Sequence, residues 1–315
     1  MNRKNLLHVF VSLGLLGAVL SGGAAPLQRN DVVRDPMWWL HVDADALRQT
    51  ALGQYLLAEL EKPEAQKKFA AFQTVFNFDP RRALRGLTLY GVSPAEEDAV
   101  LLVYADFDAN RLTTLAEGAK DHQSSAHRHH TIHNWIDENK PAKDGKKPRT
   151  YAAIYGNRVV IFGQKHSRVA EALDVMDRLI PGLAAEADFA RGEGGAVFLQ
   201  GAARKLELPA NDPNAAVFRQ SRGLALVMGE KQQRVEATLT LLADNEEVAR
   251  HIELVGRGLI GLMKLQIDKP ENQKLARALS VEQVNSTVRL RLDMPASEMI
   301  EMLRAAQARK KAATP

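Results

Sequence analysis

The sequence predicts an α+β protein built from two related halves, with mainly antiparallel sheets and helices packed on one face. Three observations carry that expectation. Short apolar runs recur between turn residues, the mark of hairpin-joined strands. Stretches of helical period fall between groups of strands rather than after every strand, which separates α+β from alternating α/β chains. The pattern of the first half also restarts near residue 196.

The first twenty-five residues have the layout of an export signal: Arg3 and Lys4, an apolar run from Leu6 to Leu20, then Ser21-Gly22-Gly23-Ala24-Ala25. The run falls short of the roughly 20 residues of a spanning helix, so a cleaved signal peptide over 1–25 is expected, with a retained anchor as the alternative. No later run is apolar enough to cross a bilayer as a helix, and without cysteine there is neither a lipid-anchor motif nor a disulfide. Removing Arg3 and Lys4 from 42 basic residues leaves 40 against 38 acidic ones. That near balance, with 6% aromatics, argues against nucleic acid as a partner. The expected location is periplasmic or secreted.

Trp38-Trp39-Leu40-His41-Val42 reads as a strand, followed by a helix that opens near Asp43 or Asp45, with Asp45 as N-cap, and carries Leu47, Gln54, Leu57 and Leu60. Pro63 suits the first turn of a second helix holding Phe69, Phe72 and Phe76. Arg85–Gly91 and Val100–Tyr104 form a hairpin around Ser93-Pro94, and a helix follows Asp108. A histidine-rich stretch leads to a strand at Ile132–Trp135 and a lysine-rich loop over 140–149; a hairpin from Tyr151 to Phe162 then turns at Gly156-Asn157. Ser167–Ile180 is a helix with Val169, Leu173, Met176 and Ile180 on one face, stopped by Pro181-Gly182.

The implied organisation is an N-terminal half over 26–185, a linker over 186–195 and a C-terminal half over 196–315. Ala196–Leu199 opens the second half as a strand. Arg222-Gly223-Leu224-x-Leu226 echoes Arg85-Gly86-Leu87-x-Leu89, Gly229 answers Gly91, and Asp244 answers Asp108 before a helix. Val235–Leu241 and Val288–Leu292 alternate apolar and polar residues, as half-exposed strands do, and Ser297–Gln307 closes the half as an amphipathic helix. These echoes point to internal duplication.

His41-Val42-Asp43, Leu52-Gly53, Arg85–Gly91, Phe107-Asp108 and Ala152–Asn157 also carry a resemblance to a loosely defined group of exported bacterial proteins with duplicated α+β halves. The likeness implies compartment and architecture, and no catalytic residue, cofactor or substrate.

One concentrated chemical signal remains. His122, His127, His129, His130 and His133 place five of the nine histidines within twelve residues. Imidazole is a common metal ligand, so His127, His129, His130 and His133 are candidate ligands for a divalent transition metal; no other cofactor is implied. On a continuous strand His127, His129 and His133 would share a face and His130 would oppose them. Asp121, Asp137 and Glu138 are the nearby carboxylates. The competing reading is a solvated polar edge or a pH-responsive patch. The lysine-rich loop from Lys140 to Arg149 is read as protection of an edge strand, with attraction to an acidic partner as the alternative.

Other motifs are weaker. Gly256-Arg257-Gly258-Leu259-Ile260-Gly261 has dinucleotide-binding spacing but sits inside a helical stripe of Val248, Ile252, Val255, Leu259 and Leu262, where close helix packing is the better use of glycine. Asp106 and Asp108 could form an acid–base pair, but Asp108 is already a helix cap. Catalytic residues are unknown and an enzyme is not expected. The leading expectation is a noncatalytic protein that binds a periplasmic partner or ligand through a sheet face or a groove between halves, with metal binding or buffering by the histidines second and hydrolysis a distant third.

Overall fold

The computed structural model describes residues 26–63, 65–66, 70, 73, 79–138, 140–142, 145, 147–183, 196–204, 221–266 and 270–312. The expected signal peptide, the Phe69, Phe72 and Phe76 stripe and the linker over 186–195 lie outside the described residues. The chain divides into two units. The first comprises Met1–Arg48 and Leu56–Ala187, and the second Gln49–Tyr55 and Asp188–Pro315.

In the first unit, β1 (Trp38–Asp43), β2 (Leu84–Gly91) and β3 (Ala99–Ala105) form a meander. After a helix at Ala109–Glu117 come β4 (Gln123–His127), β5 (His130–Ile136), β6 (Arg149–Tyr155) and β7 (Val159–Gly163). The strand order is β1-β2-β3-β7-β6-β5-β4, and each of these neighbours is antiparallel. The helix His166–Met176 buries Val169, Ala172, Leu173, Val175 and Met176. It lies on the face that carries Val100, Leu102 and Ile161, and a Cβ on Gly163 would stand 3.1 Å from the Val169 side chain. Leu112 of the shorter helix packs with Val103, Ala105 and Val160, whose side chains alternate to the other face.

Alternation along β1 also buries His41 and Asp43. His41 is accommodated by Thr88, its register partner in β2, through a 2.8 Å Nδ1–Oγ1 hydrogen bond. Asp43, not Asp45, caps the next helix by accepting from the Ala46 N–H at 2.8 Å. Asp45 instead sits in the first turn, buried against Arg48 and within 3.5 Å of Arg85. The single helix expected there is two, Ala44–Arg48 and Ala51–Leu60, because Thr50 breaks the run and its hydroxyl accepts from the Gly53 N–H. The helix after His166 stops at Met176, four residues before Ile180, where Asp177 takes the C-cap position and Arg178 turns to φ +62°.

In the second unit the order is β8-β9-β10-β12-β11, from β8 (Ala196–Arg204), β9 (Ser221–Lys231), β10 (Arg234–Ala243), β11 (Leu279–Val284) and β12 (Thr287–Pro295). The β9–β10 hairpin turns on Gln232 and Gln233, both at positive φ, as a two-residue primed turn requires. Between β10 and β11 run the helices Glu246–Leu265 and Pro270–Ala278, and Ala296–Ala312 closes the unit. The long helix is capped by Asn245, one residue beyond the expected Asp244, whose side chain accepts from Val248 N–H at 2.9 Å. Its Ala249 and Ile252 join Leu241, Ala243, Val281 and Val288 in a core cluster. Segment Gln49–Tyr55 belongs here through Glu230, whose buried carboxylate accepts the N–H groups of Ala51 and Leu52 at 2.8 and 3.1 Å. Mixed helices and antiparallel sheet make the protein α+β.

Candidate functional site

The histidines occupy the β4–β5 hairpin. Its register pairs His127 with His130, leaving Arg128-His129 as a two-residue turn, with Arg128 at φ +53°. The turn overrides the alternation of a continuous strand: His129 folds back over His130, ring centroids 3.9 Å apart. The expectation that His130 opposes His129 is therefore wrong. His130 Nε2 lies 2.9 Å from Asp177 Oδ2, and His129 Nε2 lies 3.7 Å from the same oxygen. His127 Nε2 meets Asp174 Oδ1 at 2.9 Å, and Arg128 Nε donates to that oxygen at 2.8 Å.

His133 leaves this group. Three residues along β5, its Nδ1 lies 3.0 Å from Nε2 of His122 and the two rings stack at 5.3 Å. Burial, and then the facing His122, hold its pKa below the usual imidazole value. The four proposed ligands thus separate into three arrangements: His129 and His130 with Asp177, His127 with Asp174, and His133 with His122.

The carboxylates that serve the hairpin are not those nearest in sequence. Asp121 pairs with Arg149 and Glu138 with Lys120. Asp174 and Asp177 come from the last turn and C-cap of His166–Met176. Carboxylates at a helix C-terminus oppose its dipole, so hydrogen-bond donors or cations beside them are favourable there. Burial would raise the Asp174 pKa, but hydrogen bonds from Arg128 and His127 outweigh it and hold the carboxyl below its usual range. Tyr155 packs its ring 5.4 Å from that of His130 and donates to the Met176 carbonyl at 3.1 Å. Burial, followed by the charge of Asp177, raises its phenol pKa and keeps the proton on.

Beside Tyr155 a cleft of about 540 Å3 is lined by Asp31, Arg85, Tyr104, Asp106 and Arg178 among others. Four of its charged groups are paired: Arg178 donates to Asp31 at 2.9 Å, Tyr104 donates to Asp31 at 3.1 Å, and Arg85 donates to Asp106 at 3.0 Å. Asp108 accepts from Arg111 N–H as the helix cap. The two aspartates considered as acid and base therefore have separate structural partners. The lysine-rich loop joins β5 to β6, whereas β4 is the outer strand, so edge protection does not explain that loop.

A second surface lies on Glu246–Leu265. Of seven exposed large hydrophobic residues among those described, five are on this helix: Leu254, Val255, Leu259, Leu262 and Leu265. The apolar stripe named from the sequence is thus split, with Ile252 inside and Val255, Leu259 and Leu262 outside. The glycines divide likewise. Gly256 allows close packing, since a Cβ there would stand 3.2 Å from Val281, whereas a Cβ on Gly258 or Gly261 would meet nothing within 4 Å. All three lie within the helix, away from the strand-to-helix turn that nucleotide binding needs. No described helix is long and apolar enough to cross a membrane, which leaves membrane crossing by strands untouched.

No family model and no curated protein matches the chain. It is similar in structure to three crystal forms of TP0453, each at 10% identity. Form III has a TM-score of 0.49 and covers 90% of this chain and 99% of that chain. For form IV the values are 0.45, 87% and 95%, and for form I 0.45, 89% and 98%. The α+β class rests on the chain's own helices and antiparallel strands.

Proposed function

We propose that the chain is an exported, noncatalytic binding protein that engages a protein partner through the exposed apolar face of Glu246–Leu265. The observation that carries this reading is the gathering of Leu254, Val255, Leu259, Leu262 and Leu265 on one face, at 48 to 75% exposure. Contiguous exposed apolar surface is a mark of contact sites, and scattered single residues are not. Leu254, Leu262 and Leu265 stand beside Gly258 and Gly261, so the helix offers ridges around a shallow notch that would receive side chains from an apolar helix or segment. Export rests on Arg3, Lys4 and the Leu6–Leu20 run.

The test is a photoreactive amino acid at Leu259, with one at Glu236 on β10 as the exposed control, activated in living cells. A discrete adduct to a different protein at Leu259, absent at Glu236, supports the reading. No adduct, an adduct of twice the chain mass, or lipid adducts alone would overturn the protein-partner assignment.

A further inference from the structure

We propose that His129, His130 and Asp177 form a binding site for a divalent transition metal such as zinc. The site lies in the first unit and is independent of the apolar helix of the second. Three features of the geometry converge on it.

The first is spacing. Zinc bound by nitrogen and oxygen at about 2.0–2.1 Å in tetrahedral geometry sets its ligand atoms roughly 3.3 Å apart. Asp177 Oδ2 lies 2.9 Å from Nε2 of His130 and 3.7 Å from Nε2 of His129, on either side of that separation. One ligand atom from each of the three residues lies within 4.8 Å of the others. Small rotations of the exposed His129 ring would equalise the edges.

The second is how the ligands are held. Consecutive residues on a strand point apart, yet these two imidazoles are brought together by a turn whose first residue, Arg128, adopts a conformation unusual for a side-chain-bearing residue. Arg128 is anchored by Asp174, Tyr155 packs on His130, and the Tyr155 hydroxyl is fixed by the Met176 carbonyl one residue before Asp177. Supporting contacts of this kind orient metal ligands.

The third is charge. Asp174 and Asp177 both sit at the negative end of His166–Met176. Asp174 has Arg128 and His127 as cationic or hydrogen-bonding partners, whereas Asp177 faces the two imidazoles of His129 and His130. A divalent ion shared by Asp177 and two neutral imidazoles would offset the helix end and fill one tetrahedral face. The fourth position would lie toward solvent on the side of His129, whose side chain is 71% exposed.

The experiment uses the full chain without an affinity tag, dialysed against chelator and titrated with zinc chloride against a chromophoric competitor. One saturable equivalent is expected, weakened at least about tenfold by Asp177→Asn and by His129→Ala, and changed less than about twofold by His133→Ala. His129 is exposed, so its alanine variant should melt with the wild type, keeping the test valid if Asp177→Asn misfolds. Absence of saturable binding, binding indifferent to both His129 and Asp177, or equal loss in His133→Ala would overturn the proposal.

Discussion

The two units lay their strands out by the same route and differ in what they insert along it. Each begins with a three-strand meander, leaves the sheet for a crossover, and returns so that the last strand pairs with the third: β7 with β3, and β12 with β10. A helix follows each last strand. Each second strand carries a glycine near its end, beside the start of the first strand: Gly91 is the last residue of β2, and Gly229 lies two residues before the end of β9. A Cβ on Gly91 would stand 2.6 Å from the Trp38 indole, and one on Gly229 2.8 Å from the Ala196 carbonyl oxygen. The crossovers diverge. In the first unit a nine-residue helix leads to the polar β4–β5 hairpin, which has no counterpart among the described residues of the second, where a 20-residue helix presents apolar side chains to solvent. The meander and its return strand satisfy the sheet, so the crossover is where each unit can differ without losing it.

The largest expected effect tests the first unit's frame. Asp45 and Arg48 are each 3% exposed, and burial raises the Asp45 pKa despite the attraction of Arg48 and Arg85. Arg48→Ala would strand a buried carboxylate and cost about 3–5 kcal/mol. In urea unfolding followed by probes in each unit, the first unit should lose its stability well before the second; equal loss would mean that the units unfold together.

The two faces of the long helix give the next contrast. Ile252→Ala should cost about 2–5 kcal/mol, because Ile252 belongs to the core cluster. Leu259→Ala, on the exposed face, should stay within about 0.5 kcal/mol. Similar values in denaturant titrations would show that the outer face is buried in the protein's working state.

Acid should act on the first unit through His133. Its pKa is depressed in the folded chain, so the unfolded chain takes up the proton first. Stability should therefore decline as pH falls below about 6.5 and stop declining at the lower folded value. His133→Gln should flatten that slope in melting curves taken across the window, while an unchanged slope would place its source elsewhere. The smallest effect belongs to Gly258→Ala. The added methyl meets open space and replaces a helix-interior glycine, which should raise stability by about 0.5–1 kcal/mol. If the glycine notch receives a partner, the same change weakens binding while stabilising the free protein.

Strands with alternating or continuous apolar character were legible, as at Trp38–Val42, Arg85–Gly91 and Val235–Leu241. β4 was not, because Gln123-Ser124-Ser125-Ala126-His127 has no apolar face and is held as an edge strand by β5 alone. Its turn also lacked the glycine that marked Gly156-Asn157, as did the turns at Gln232-Gln233 and Asn285-Ser286. Missing that turn led directly to the wrong partition of the histidine side chains. The histidine cluster could be seen in the sequence, but Asp174 and Asp177 arrive from a later helix through tertiary packing, which local spacing does not encode. The apolar stripe of Glu246–Leu265 was legible, but its exposure was not, because periodicity shows that a face is apolar, not what covers it.

The partner-binding claim is tested most directly by the native size of the protein in undisrupted extract, wild type beside Leu259→Glu/Leu262→Glu. The wild type should run as a discrete larger complex containing a second protein, and the variant as the free chain with an unchanged melting temperature. Identical sizes for the two would contradict it.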